Sequence, residues 1–126
     1  MIGLVVVSHS ERAADGIAEV AAEMGGETHI EPVGGDGRGG IGTVPDDIEA
    51  ALAAVDDGEG VVVLVDLGSA VMNAEVAIEM ADTEAVVADA PVLEGAVNAA
   101  VAATSPTATL DTVRERAEAA REIDKL

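Results

Sequence analysis

The sequence predicts an α/β domain with a doubly wound, mostly parallel sheet in the strand order 2-1-3-4 and helices on both faces. Short Val-rich runs alternate with longer segments of helical period, which is the pattern of a parallel sheet with covering helices. The clearest run, Val61–Val65, is continuous and β-branched, as a strand buried on both faces must be. Glycine pairs, Ser, Asp and Pro punctuate the intervals at the spacing such units need.

Taken in order, Ile2–Val7 is the first strand. Ser10 then stands as a helix N-cap, and Ile17, Val20 and Met24 recur at helical spacing until Gly25-Gly26 stops the helix. Thr28–Val33 is a weaker second strand. Gly34–Gly42 holds six glycines in nine residues and is a loop, because that backbone entropy defeats helix and strand alike. A second helix starts near Thr43, with Pro45 in its first turn and Ile48, Leu52 and Val55 inward. After the Val61–Val65 strand, Leu67-Gly68-Ser69 turns into a third helix whose Met72, Val76 and Met80 lie one turn apart. Ala85–Val87 is a short fourth strand. Pro91 opens a small-residue helix, Val92–Ala103. Thr104–Thr109 links it to a last helix, Leu110–Lys125, with Leu110, Val113, Ala117 and Ala120 inward and a solvated, carboxylate-rich outer face.

The 126 residues suit one domain, 1–126, with one core and one site. Hydrophobic residues make up 49% of the chain, yet Phe, Tyr and Trp are absent, so Val, Ala, Leu, Ile and Met fill the core in small pieces. Six basic residues against 25 acidic ones give a net charge of −19. That field repels nucleic-acid phosphates and anionic lipid, so nucleic acid and membrane are excluded as partners. It suits a salt-rich cytoplasm in which counterions screen the carboxylates. With no Cys and two His, disulfides, thiol nucleophiles and a dedicated metal site are not expected. The apolar start stops at Ser8-His9, too short for a signal peptide or a membrane span.

Ligands of open parallel sheets sit beyond the carboxyl ends of the strands, where strand order reverses. In the 2-1-3-4 order, His9 after the first strand and Asp66 after the third face each other there. A carboxylate on one ring nitrogen sets the tautomer, leaves the other nitrogen as a nucleophile and stabilises the ring when it turns cationic. Ser10, Gly68 and Ser69 are the phosphate-binding candidates, through hydroxyls and through N–H groups at a helix start. Arg38, Gly39 and Gly40 are candidates in the glycine-rich loop, as a lid over His9, a docking edge or merely mobile surface. That loop lacks a Gly-Lys-Ser/Thr ending and is no Walker loop. His29 is read as structural or exposed.

These segments together resemble a known family. Gly3–Ser10, Asp36–Thr43, Val65–Ala70 with Asn73-Ala74-Glu75, and Ala90–Ala96 are similar to the phosphotransferase subunits, DhaM, of PTS-dependent dihydroxyacetone kinases. Their IIA domain is similar in fold to mannose-type IIA components. The resemblance covers nearly the whole chain. It implies a cytoplasmic, usually homodimeric phosphohistidine carrier without a cofactor. A phosphoryl group would pass from HPr to Nε2 of His9, with Asp66 on Nδ1, then to ADP on the DhaL subunit, whose ATP phosphorylates dihydroxyacetone on DhaK. Longer members append HPr-like and Enzyme-I-like domains, so a separate donor protein is expected. The acidity and lack of aromatics depart from the family. Two rivals stand beside this reading. A IIA component of a mannose-type sugar permease shares the site, although such relatives usually carry a Gly-Gly-Ser-Pro-like turn where this chain has Asp-Leu-Gly-Ser-Ala. A receiver-like regulator phosphorylated on Asp66 would need an acidic cluster where this chain has Ser8-His9-Ser10.

Overall fold

A computed structural model describes residues Met1–Leu126. Four parallel strands, β1 (Gly3–Ser8), β2 (Ile30–Gly34), β3 (Val61–Val65) and β4 (Ala85–Val87), form one sheet in the order β2-β1-β3-β4. The helices are α1 (Glu11–Gly25), α2 (Pro45–Val55), α3 (Gly68–Met80), α4 (Val92–Ala103) and α5 (Leu110–Glu118). The fold class and strand order are those the sequence predicts.

Period-two alternation divides the core between the two sheet faces. Leu4 and Val6 of β1 and Val62 and Leu64 of β3 join α1, α4 and α5 in one cluster, while Val5, Val7, Val61, Val63 and Val65 join α2 and α3 in the other. Strands β1 and β3 are buried along their whole length, so both faces had to be apolar.

Two helices lie differently from their large apolar side chains. Of Ile17, Val20 and Met24, only Ile17 packs against the core, on the face of α1 where Ala14, Ala18, Ala21 and Gly25 are buried, while Val20 and Met24 are exposed. In α3 the buried stripe is Ala70, Ala74 and Ala77, leaving Met72, Val76 and Met80 exposed. For α1 the physical reason is distance. A Cβ on Gly25 would lie 2.7 Å from Ala100 Cβ, so α1 and α4 approach too closely for larger side chains. A core without aromatics is closed by bringing alanine-faced helices onto valine strands.

The other helices follow their patterns, with Ile48, Leu52 and Val55 buried in α2 and Val113 and Ala117 in α5. The last element is shorter than Leu110–Lys125. It passes at Ala119 into a 3₁₀ turn that ends at Glu122, with Ala120 still buried. Its start is secured by a reciprocal capping pair, Thr109 and Thr112. No helix is long and apolar enough to cross a membrane.

Candidate functional site

The register of β1 against β3 builds the site. Val7 pairs with Val65, and the Asp66 N–H donates to the Val7 carbonyl at 3.1 Å, so Ser8-His9 and Asp66 emerge side by side at the carboxyl edge of the sheet. This edge is the switch point, since β1 leads to β2 on one side and β3 leads to β4 on the other.

His9 Nδ1 lies 3.0 Å from Asp66 Oδ1, and Nε2 lies 2.9 Å from Ser69 Oγ. Asp66 Oδ2 accepts from the His9 backbone N–H at 3.0 Å and from Ser8 Oγ at 2.8 Å. Partial burial pushes the Asp66 carboxyl up. The hydrogen bonds from the His9 N–H, the His9 ring and the Ser8 hydroxyl outweigh it and hold the carboxyl below the ordinary carboxylate range. An ionised Asp66 can only accept, so Nδ1 carries a proton, and in the neutral form of the ring Nε2 then holds a lone pair toward the Ser69 hydroxyl. The His9 side chain keeps 20% of its surface exposed.

Ser69 and Gly68 open α3, whose N-cap, Leu67, gives no side-chain hydrogen bond. The first N–H groups of that helix therefore have no capping side chain, and the dipole at this end favours an anion. Ser10 is placed differently. Its hydroxyl caps α1 by accepting the Ala13 N–H at 3.2 Å, and its own N–H goes to Ser8 Oγ at 3.1 Å.

The glycine-rich loop is wound around Asp36. That carboxylate accepts the N–H groups of Arg38 at 2.8 Å and Gly40 at 2.9 Å, and these bonds hold its pKa below the ordinary value. The backbone at Arg38 and Gly40 is thus engaged within the loop. Gly35, Gly37 and Gly39 have φ between +81° and +85°, a left-handed conformation that a side chain would strain. Two bonds tie the loop's end to the site. Gly42 N–H donates to the His9 carbonyl at 2.9 Å, and Asn73 of α3 reaches Thr43 Oγ1 at 2.7 Å. Gly39 and Gly40 form one wall of a cleft of about 500 Å³, whose other wall is Ser10, Glu11, Arg12 and Asp15 at the start of α1. The Arg38 guanidinium enters no ion pair, whereas Arg114, Arg121 and Lys125 near the end of the chain each find a carboxylate.

The structure thus brings together His9, Asp66 and Ser69, with Gly68 next to Ser69 at the start of α3, while Ser10, Gly39 and Gly40 line the neighbouring cleft and Arg38 stays in the loop around Asp36. His29 is exposed ahead of β2, at the opposite edge of the sheet. Sequence reasoning missed three contributors: Ser8, Asp36 and the Asn73–Thr43 tie. For Ser8 the available signal was a hydroxyl directly following an apolar run.

The chain is similar to known proteins along most of its length. Residues 3–114 match the family model described as PTS system fructose IIA component, EIIA-man. The phosphoryl donor subunit DhaM of PEP-dependent dihydroxyacetone kinase 2 from Listeria innocua is 42% identical over 106 residues, which are 80% of this chain and 85% of that protein. The phosphotransferase subunit DhaM from Lactococcus lactis is 33% identical, covering 92% and 93% of the two chains. The DhaM of Escherichia coli is 35% identical over 83% of this chain but only 24% of its own length, so the chain spans about a quarter of the longer relatives. Among solved structures, a protein of unknown function superposes with a TM-score of 0.81 at 31% identity, covering 93% of this chain and 92% of its own. A Streptococcus agalactiae EIIA component superposes with a TM-score of 0.69 at 20% identity over 98% and 97%, which shows a shared fold.

Proposed function

The chain belongs to the EIIA-man family and, within it, to the DhaM phosphotransferase subunits of dihydroxyacetone kinase, and from that premise we propose that it is a phosphohistidine carrier working through His9. The observation that carries this reading is the divided imidazole, with Nδ1 on Asp66 and a free Nε2 toward Ser69. Nε2 attacks the phosphorus of a donor phosphohistidine on an HPr-type protein. The Nε2–P bond forms as the donor's N–P bond breaks, and the donor ring, whose other nitrogen already carries a proton, leaves as a neutral imidazole. The His9 ring, now cationic with Nδ1 still protonated, is stabilised by the Asp66 carboxylate. Ser69 turns its hydroxyl from Nε2 to a phosphoryl oxygen, and the N–H groups of Gly68 and Ser69 receive the remaining charge. The second transfer goes to the β-phosphate of ADP held on a DhaL-type subunit, whose ATP serves dihydroxyacetone on DhaK.

Asp66 is better spent as a partner than as a phosphoryl acceptor, because three donors already occupy its two oxygens. This favours the carrier over the receiver-like reading. The test is to incubate the protein with phosphoenolpyruvate, Enzyme I and HPr, with and without DhaL and ADP, and to follow intact mass. We expect one added phosphoryl group that is lost in acid, survives base and disappears when DhaL and ADP are supplied. A label that survives acid but is cleaved by hydroxylamine would belong to an aspartyl phosphate and end the carrier reading. A label that DhaL and ADP do not discharge would point to the sugar-permease acceptor.

The charge supports a salt-rich cytoplasm as the setting, and a homodimer would find apolar surface in the outward Met72, Val76 and Met80. Screening shortens from about 10 Å at ~0.1 M to about 3 Å at ~1 M salt. The melting temperature should therefore rise by about 5 °C or more between dilute buffer and molar potassium chloride. A flat profile removes the argument for a salt-rich setting.

A further inference from the structure

β1 is an apolar strand that ends on a hydroxyl. Ser8 is 1% exposed and, with Thr28, is one of two buried polar residues in the chain. A buried hydroxyl needs partners, and the register supplies them, because Val7 opposite Val65 sets Ser8 beside Asp66. Ser8 Oγ accepts the Ser10 N–H at 3.1 Å, which directs its proton the other way, to Asp66 Oδ2 at 2.8 Å. The backbone at this point is held as tightly as the side chain. Gly34 of β2 pairs with Ser8, and a Cβ there would come within 2.6 Å of the Ser8 carbonyl oxygen and 2.8 Å of that of Ser10.

We propose that Ser8 is a positioning residue of the phosphoryl-transfer site, fixing the rotation of the Asp66 carboxylate so that His9 stays in its nucleophilic tautomer. This rests on the reading of His9 as the phosphoryl acceptor. The terminal torsion of an aspartate is broad and roughly two-fold, so a carboxylate held at one point samples many planes. On Asp66 the Ser8 hydroxyl and the His9 N–H both end on Oδ2, and the plane they define delivers Oδ1 to Nδ1 of the ring. Alanine at position 8 would fill the strand equally well. It would leave Oδ2 with one donor and the Ser10 N–H without its acceptor. The ring would then be free to pass its proton from Nδ1 to Nε2, and an Nε2–H imidazole has no lone pair there for phosphorus.

The experiment combines ¹⁵N-histidine NMR of the full chain with rates of phosphorylation by phospho-HPr, for the parent protein, Ser8→Ala, Ser8→Thr and Ser8→Cys. In the parent, the neutral His9 ring should show Nδ1 protonated and Nε2 bare. In Ser8→Ala the two nitrogens should move toward a mixture of tautomers, with phosphorylation slower by about tenfold, the scale of losing an orienting hydrogen bond to a charged group. Ser8→Thr keeps the hydroxyl and should restore both readouts. Should its extra methyl prevent folding by circular dichroism, Ser8→Cys, close in size and a weaker donor, should fall between parent and Ser8→Ala. A parental tautomer pattern in Ser8→Ala overturns the proposal whatever its rate, and so does a folded Ser8→Thr that behaves like Ser8→Ala. A parent that gains no phosphoryl group would instead refute the carrier function, while the tautomer comparison still decides the role of Ser8.

Discussion

His9→Ala is expected to abolish phosphoryl uptake from phospho-HPr, leaving no mass gain even after prolonged incubation, while circular dichroism and the melting temperature stay close to those of the parent. The loss should be complete because the side chain is the covalent acceptor. Of the hydroxyls near it, Ser8 donates to Asp66 but is buried away from an approaching donor, Ser10 caps α1, and Ser69 loses its ring partner together with His9. The fold should tolerate the change because His9 follows β1 and belongs to neither core cluster. The Asp66 oxygen it vacates is close enough to solvent to be hydrated, so the cost should stay within about 1 kcal/mol. His29→Ala serves as the control. That residue precedes β2, at the amino-terminal edge of a parallel sheet, one strand length of about 17 Å from the edge where His9 sits. It should keep full phosphorylation. A His9→Ala protein that still gains a phosphoryl group would place the acceptor elsewhere.

Much of this site was legible in the sequence because it depends on strand ends and strand order. Val61–Val65 can only be a buried strand, so Asp66 must stand at its mouth. The 2-1-3-4 order then sets that carboxylate against whatever follows β1, which is His9. The faces of α1 and α3 were not legible. Ala14, Ala18 and Ala21 repeat at the same helical period that links Ile17 to Val20 and Met24, and periodicity alone cannot say that Ile17 packs with the alanines while Val20 and Met24 face outward. Only the close approach of α4, visible as the contact between Gly25 and Ala100, selects the alanines.

Ser8 was hidden for another reason. A serine between a strand and a helix reads equally well as a turn residue, and its burial depends on register against β3, a pairing 58 residues away in sequence. The glycine-rich loop was recognisable as a loop, but its shape was not. One carboxylate, Asp36, gathers two N–H groups and turns a run of apparent freedom into a fixed structure, which Gly42 and Thr43 then fasten to His9 and Asn73. An Asp two and four residues ahead of its donors is a common turn device, and the surrounding glycines obscured it.

Asp66→Asn should slow transfer between His9 and DhaL-bound ADP by roughly 10²–10³, about 3–4 kcal/mol of barrier, although His9 should still become phosphorylated at long times. The geometry leaves the amide no satisfactory orientation. With its oxygen toward Nδ1, its NH₂ group occupies the place of Oδ2 and meets two donors, the Ser8 hydroxyl and the His9 N–H. With its NH₂ toward Nδ1, those donors are satisfied, but the ring must then carry its proton on Nε2 and loses its nucleophile. Either arrangement also removes the negative charge that stabilises the cationic ring of the phosphorylated form. The corresponding substitution in a serine-protease triad costs about 10⁴. Phosphoryl transfer should suffer less, since its loose transition state asks little of a general base. Stability provides a second signature. Hydrogen bonds hold the folded Asp66 carboxyl below its unfolded value, so it contributes stability above the ordinary carboxylate range and loses it as the pH falls through the depressed value. Asp66→Asn should therefore be less stable than the parent near neutral pH, with the gap narrowing in acid. Quench-flow rates within about threefold of the parent, when an orienting partner should command 10²-fold or more, would reduce Asp66 to a residue that merely ends β3.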